Sequence, residues 1–320
     1  MRQTIILFIT LFLTLPTVAQ EDSTAADSTV DVLAYFNKGE TYNYSVSDVQ
    51  WKINGTDTVA VASTITKATL SVVDSTKKGY LMEWRYTDFQ LDDSVKSPRQ
   101  QLSQEIFAKM KERLVGQTIR FQITPEGEIK KWENMKEVGK MARDIFQFTM
   151  EKTHLSDSLK SVGFDISGLL RAVDNKSLAE TYTAPIEMLF GYHGKSYKLG
   201  DITEHIPASD DSPAADLNMS VYWLEPEKGL FCIDVERIVT IDKSDVKQFM
   251  GALFSTFGKG EECQSDKFKD MMGELGDMKV IFFSRAEMFD DGWPSMVIDQ
   301  TKGVFEGGGK VKQTRVYMTQ

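Results

Sequence analysis

Three histidines, two cysteines and four doublets of identical carboxylates are the side chains in this 320-residue sequence singled out as suiting proton transfer, nucleophilic attack or metal binding. His154, His193 and His205 stand far apart. No pair shows the HExxH spacing that would set two imidazoles on one helix face toward zinc. A Ser–His or metal site built by long-range folding needs no local pattern, so an unrecognised hydrolase stays among the readings. Asp92-Asp93, Asp210-Asp211, Glu261-Glu262 and Asp290-Asp291 are neighbours in sequence. On an extended chain, neighbours point to opposite sides, which makes a doublet a poor acid–base pair. The last doublet stands in FDDGWPSM beside Trp293, where a carbohydrate or calcium contact is conceivable, but calcium-loop spacing is missing. In GYHGKS, residues 191–196, only Tyr192 and His193 separate the glycines where a phosphate loop needs four residues, so the stretch reads as a turn. No catalytic residue, cofactor or metal is expected.

Cys232 and Cys263 are the only cysteines. In an exported chain such a pair fits one disulfide; the alternative is two buried thiols packed as small hydrophobes. Asp followed by Ser or Thr and then an aliphatic residue or Thr occurs six times, at Asp22, Asp27, Asp57, Asp74, Asp93 and Asp157. These tripeptides resemble the O-glycosylation sequon of some Gram-negative envelopes, and they are also turn and cap chemistry.

The apolar side chains carry more information. Fifteen Met occur, with Met110, Met135, Met141, Met150, Met188 and Met250 on apolar helix faces, while Tyr80, Met82, Trp84 and Tyr86 alternate along one strand. Flexible thioethers fill irregular cores and also line adaptable pockets. The expected ligand-binding set is Tyr80, Met82, Trp84, Tyr86, Met110 and Met141, between that strand and the helices.

The elements that would position these residues follow from period and punctuation. TYNYSVSDVQWKI, TVAVASTITKATLSVV and YLMEWRYTDFQL read as long strands of a meander, joined at Asn54-Gly55 and at DSTKKG. Leu102, Ile106, Met110 and Leu114 lie on one face of a helix between Pro98 and Gly116. TIRFQITPEGEIKKW is a hairpin: Ile119, Phe121 and Ile123 point one way and Pro125-Gly127 turns the chain. A helical centre follows, with Met135, Val138, Met141, Ile145 and Phe148 on one face and Pro185 expected to kink or end its last helix. KSYKLGDITEHI, LNMSVYWLE and LFCIDVERIVTI return to strand, a helix around Phe249 and Leu253 follows, and three strands close the chain. Crossovers are too few for a parallel α/β fold. The fold class expected is α+β, a long curved antiparallel sheet, half-barrel-like, with helices packed against one face.

The first residues, MRQTIILFITLFLTLPTVAQ, have the basic, apolar and small-residue regions of a secretory signal, with cleavage after Ala19. Residues 20–34 read as a disordered leader. Residues 35–320 read as a single domain, with the alternative of two lobes, about 35–150 and 195–320, around a helical centre. A net charge of −10 argues against nucleic acid, and no later segment is apolar enough for membrane insertion.

The curved meander followed by packed helices resembles the half-barrel of periplasmic lipoprotein-localisation carriers. LVGQTIRFQITPEGEIKKWENM and KSYKLGD are similar to stretches of Gram-negative envelope families with that architecture. The resemblance implies a cavity for acyl chains between sheet and helices, and no catalytic residue. The function expected is therefore a non-enzymatic, soluble periplasmic protein that binds a lipid or other apolar small molecule, as a carrier or envelope-maintenance factor. An interaction protein with a dry core, binding another envelope protein, is the alternative.

Overall fold

The structure is a computed structural model, and it describes residues 29–91, 100–154, 173–209, 213–246, 277–305 and 308–319. The expected signal segment, the helix around Phe249 and Cys263 lie outside the described residues.

In chain order the elements are β1 (Thr29–Val32), β2 (Thr41–Asn54), β3 (Asp57–Thr76), β4 (Gly79–Leu91), α1 (Gln100–Leu114), β5 (Thr118–Ile123), β6 (Ile129–Trp132), α2 (Met135–Thr153), α3 (Asn175–Phe190), β7 (Lys195–Lys198), β8 (Gly200–Ile206), β9 (Ala215–Glu225), β10 (Leu230–Ile241), β11 (Met278–Phe289), β12 (Pro294–Phe305) and β13 (Gly308–Thr319). A 3-10 turn, Pro226–Lys228, joins β9 to β10. Eleven strands form one unclosed antiparallel sheet in the order β6-β5-β4-β3-β2-β13-β12-β11-β10-β9-β8. β1 and β7 pair separately. No described helix is long and apolar enough to cross a membrane.

The two ends of the chain meet at β2 and β13, which pair from Asn43 opposite Thr319 to Asn54 opposite Gly308. That junction makes one sheet of the meander β2–β6 and the meander β8–β13. Antiparallel neighbours with short turns need no crossover, which is why such a long sheet forms from mostly consecutive strands. Its inner face follows directly from strand alternation: Tyr44 and Val46 on β2, Trp84 and Tyr86 on β4, and Ile119 and Phe121 on β5 are all buried in the same core.

The described helices cover part of that face. α1 lies against β4, α2 packs against α1 and α3, and α3 lies across β12 and β13. α3 starts where the Asp174 carboxylate accepts a hydrogen bond from Ser177 N at 2.7 Å, satisfying one of the free N–H groups of its first turn. Gly139 of α2 sits at the crossing with α3, where a Cβ would fall 2.6 Å from Asn175 O.

Three expectations are corrected. Of the two effects expected of Pro185, ending the helix is not found: α3 runs on to Phe190, and the Tyr86 hydroxyl donates to Tyr182 O at 2.6 Å, close to the carbonyl that the proline leaves without a donor. KSYKLGDITEHI is two strands, not one: Gly200 at φ 109° redirects the chain, so β7 pairs with β1 and β8 with β9. Residues 29–34, read as leader, belong to the fold. Val30, Val32 and Ala34 alternate inward and are buried, so the segment holds enough apolar surface to be ordered.

Candidate functional site

The motifs with the most chemical promise in sequence turn out to close one end of the sheet. Gly194 N donates to Val32 O at 2.9 Å, Ala34 N to Glu126 O at 3.3 Å and Tyr35 N to Asp291 O at 3.0 Å. The segment after β1 is thereby pinned to three turns: the β5–β6 turn, the turn after α3 and the β11–β12 turn. His193 is 1% exposed and lies against Gly127, where a Cβ would approach its ring to 2.4 Å. Its Nε2 donates to Gly292 O at 2.9 Å, while Nδ1 has no partner. Burial pushes the His193 pKa down to about 4, so the ring is neutral at pH 7.

Trp293 is also buried there, its ring centroid 4.1 Å from that of Phe36 and its Nε1 donating to Glu40 at 3.1 Å. The Asp291 carboxylate, raised by burial, accepts from Trp293 N at 3.0 Å. GYHGKS and FDDGWPSM are thus structural turns, bonded to each other and to the segment after β1, with His193 Nδ1 left without a partner.

The expected ligand-binding residues do come together. Met82, Trp84, Tyr86 and Met141 belong to the continuous core, and Tyr80 and Met110 pack against it. Met82 and Trp84 expose no surface at all. Tyr80 donates to Ala34 O at 2.8 Å, tying the strand to the end closure. These side chains hold helices to sheet.

The remaining candidates are dispersed. His205 Nδ1 and Asp216 Oδ1 are 2.7 Å apart across β8 and β9, both exposed. His154 is the left-handed C-cap of α2. The doublets at 92–93, 210–211 and 261–262 lie outside the described residues, among which no group of His, Cys, Asp or Glu could hold a metal. Cys232 is a free, buried thiol whose Sγ lies 3.6 Å from Asp234 Oδ1. Burial pushes its pKa up to about 11. Its expected partner, Cys263, is not among the described residues.

Register reveals a different constellation on the inner face. Val46, Val316, Val297, Ala286, Ile233 and Val221 stand directly opposite one another on successive strands from β2 to β9, and all are buried. The next row on the same face is Thr64, Asp48, Thr314, Asp299, Ser284, Val235, Met219 and Ile202, and every one is half-buried. Beyond it on the same face Leu217, Val239, Val280 and Ala215 are buried again, so the row is a half-buried band within the inner face. It is amphipathic from strand to strand: hydroxyls and carboxylates from β3 to β11, aliphatic and thioether side chains from β10 to β8.

The polar half is internally bonded. Thr314 donates to Asp48 at 2.5 Å, and Ser284 donates to Asp299 at 2.6 Å while meeting the Tyr192 hydroxyl. Burial raises the Asp299 carboxyl above the usual carboxylate range. Burial also raises the hydroxyl of Tyr192, in the core.

One row farther out, Arg237 on β10 stands between Phe282 on β11 and Leu217 on β9. Its Nε is buried without a hydrogen-bond partner. The outer face of the same strands is polar, with Asp201, Ser220, Asp234 and Arg285 in one row and Arg285 Nε donating to Asp234 at 2.7 Å. None of the inner residues stands out in sequence. Alternation in LNMSVYWLE and LFCIDVERIVTI separates the two faces of each strand, but only cross-strand pairing identifies which of their residues share a row.

No protein-family model and no curated protein sequence matches the chain. Among solved structures it is similar to one described as lipid–protein interactions in lipovitellin, at 8% identity and a TM-score of 0.40, over 89% of this chain and 25% of that one. The chain therefore spans about a quarter of that relative's length. It is also similar to a loop-deletion mutant of OmpT, an outer membrane protein of Vibrio cholerae, at 7% identity and a TM-score of 0.16, over 88% of this chain and 100% of that one. Neither likeness is close enough to carry a conclusion about this chain.

Proposed function

We propose that this protein is a non-enzymatic binder of an apolar or lipidic molecule, exported to the periplasm and serving as a carrier or envelope-maintenance factor. The observation that supports the reading is the half-buried apolar strip Ile202, Met219 and Val235 on the inner face of a curved, unclosed sheet. A contiguous, partly exposed apolar strip is a usual ground for ligand binding, because covering it removes apolar surface from water. α1 to α3 have their main sheet contacts with β4, β12 and β13. A ligand lying along β8 to β10 would meet aliphatic side chains there and hydroxyl groups toward β11 and β12.

The test is binding of N-phenyl-1-naphthylamine, whose fluorescence rises in apolar surroundings. The wild type should bind it, and Met219→Glu should weaken binding about tenfold by setting a charge into the strip, with the thermal midpoint changed by only a few degrees. A wild type that leaves the probe dark would end the reading.

The alternative, an envelope interaction protein, draws on the succession Tyr222, Trp223 and Leu224 on β9, each more than a third exposed. In that case the probe would stay dark, and replacement of Trp223 would abolish association with an envelope partner.

A further inference from the structure

Arg237 is the one charged side chain on the inner face of β10, and everything beside it on that face is apolar: Val235 and Val239 along the strand, Leu217 and Phe282 across it. A guanidinium cannot deprotonate, so it brings a permanent charge into an apolar wall. Its Nε–H is shut off from solvent with no acceptor, a condition that costs free energy until an acceptor arrives. Among the described residues, the carboxylates of the inner face are already engaged or distant. Asp299 accepts from Ser284 and Asp48 from Thr314. Glu204, exposed on the edge strand, lies two strands away through Leu217, about 10 Å at the usual strand spacing. Asp234 pairs with Arg285 on the opposite face.

We infer that Arg237 is the counter-charge for a long-chain carboxylate, whose head pairs with the guanidinium and whose chain lies over Val235, Met219 and Ile202. This rests on the apolar-ligand reading above and gives that ligand a chemical class. One guanidinium matches one carboxylate in charge and in planar, two-point geometry. A dianionic phosphate would call for a second cation. The next one in this row is Lys312, three strands away beyond Phe282 and Thr301. The apolar strip begins one residue pair from Arg237 along β10 and crosses β9 to β8, so head and chain sites are contiguous.

The experiment compares cis-parinarate at pH 8, where it is ionised, with its uncharged methyl ester, by fluorescence titration of the full chain. The wild type should bind the anion about tenfold more tightly than the ester, which corresponds to ~1.4 kcal/mol. Arg237→Gln should remove that preference and leave ester affinity within about twofold, while Arg237→Lys should keep part of it. Equal binding of acid and ester by the wild type overturns the inference and leaves the apolar-ligand reading standing. So does an anion preference that survives in Arg237→Gln. Failure of both probes to bind overturns the two together. The wild-type comparison needs no variant, so a misfolded Arg237→Gln would not spare the proposal.

Discussion

At the residue scale, His193 shows how completely the end closure excludes water. Its neutral ring is bonded to Gly292 and lies against the Gly127 turn, and its pKa falls from 6.5 to about 4 on burial. Below pH 6.5 the unfolded chain binds a proton that the folded chain refuses. This residue therefore destabilises the fold progressively as pH drops from 6.5 toward 4, by at most about 1.4 kcal/mol per pH unit. Raised carboxyls such as Asp299 and Asp291 act in the opposite sense, since the folded state holds their protons more tightly. The His193 contribution is the difference between wild type and His193→Gln in urea midpoints measured across that range. Wild type should lose more stability than the variant on acidification; parallel profiles would contradict the assignment.

Two further residues make separable predictions. Trp84 has no exposed surface and packs beside Tyr44 and Tyr86, so Trp84→Ala should cost about 3–5 kcal/mol in denaturant unfolding. It should leave the affinity for N-phenyl-1-naphthylamine within about twofold, because the proposed strip lies on the far strands. Cys232, buried and with its thiol pushed up to about 11, should react with an aromatic disulfide reagent only after unfolding of the reduced protein. Rapid labelling of the native form would contradict its burial.

At the scale of elements, the α2–α3 crossing decides the sign of a substitution that propensity alone would get wrong. Gly to Ala inside a helix ordinarily gains about 1 kcal/mol. At Gly139 the new methyl would fall 2.6 Å from Asn175 O and 3.0 Å from Asn175 Cβ, and the oxygen is backbone that cannot rotate away. Gly139→Ala should therefore lower the thermal midpoint, by the ~1–3 kcal/mol typical of overpacking, and a raised midpoint would show that the helices can part freely. The paired turns at the closed end work similarly: Gly292, at φ 86°, has Leu33 O where a Cβ would sit, at 2.1 Å. Local sequence marks both as turn or helix glycines; the contact that makes each indispensable comes from a segment far along the chain.

Across the whole molecule, β2 and β13 weld the two meanders into one sheet, and three long-range contacts reinforce the weld. Tyr44 donates to Pro294 O at 2.8 Å, Trp293 donates to Glu40, and the Phe36 ring packs tilted against Trp293. Neither meander has a closed core of its own, since the buried cluster draws Tyr44, Trp84 and Phe121 from one and Phe231, Ile233 and Val297 from the other. Trp293→Ala should thus weaken both halves at once, with far-UV and near-UV circular dichroism still tracing a single transition at a lower midpoint. Two separated transitions would mean that the lobes fold independently.

Sequence by itself determined the fold class, the hairpin TIRFQITPEGEIKKW, the strands of the first meander and the helix faces. Each is written in spacings of two to four residues, and burial of one face enforces them locally. It also showed that GYHGKS lacks phosphate-loop spacing and FDDGWPSM lacks calcium-loop spacing. Only the tertiary structure decided that Pro185 lies within a continuing helix, that residues 29–34 join the core, and that Gly200 splits one apparent strand into two. It alone assembled the amphipathic row. Asp48 and Thr314, hydrogen-bonded neighbours in that row, are 266 positions apart, and Arg237 meets Phe282 across a connection that the local pattern does not constrain. Alternation tells each strand which side is in, but register between distant strands is set by the pairing of the whole sheet, and a shift of one residue would turn every one of these side chains outward.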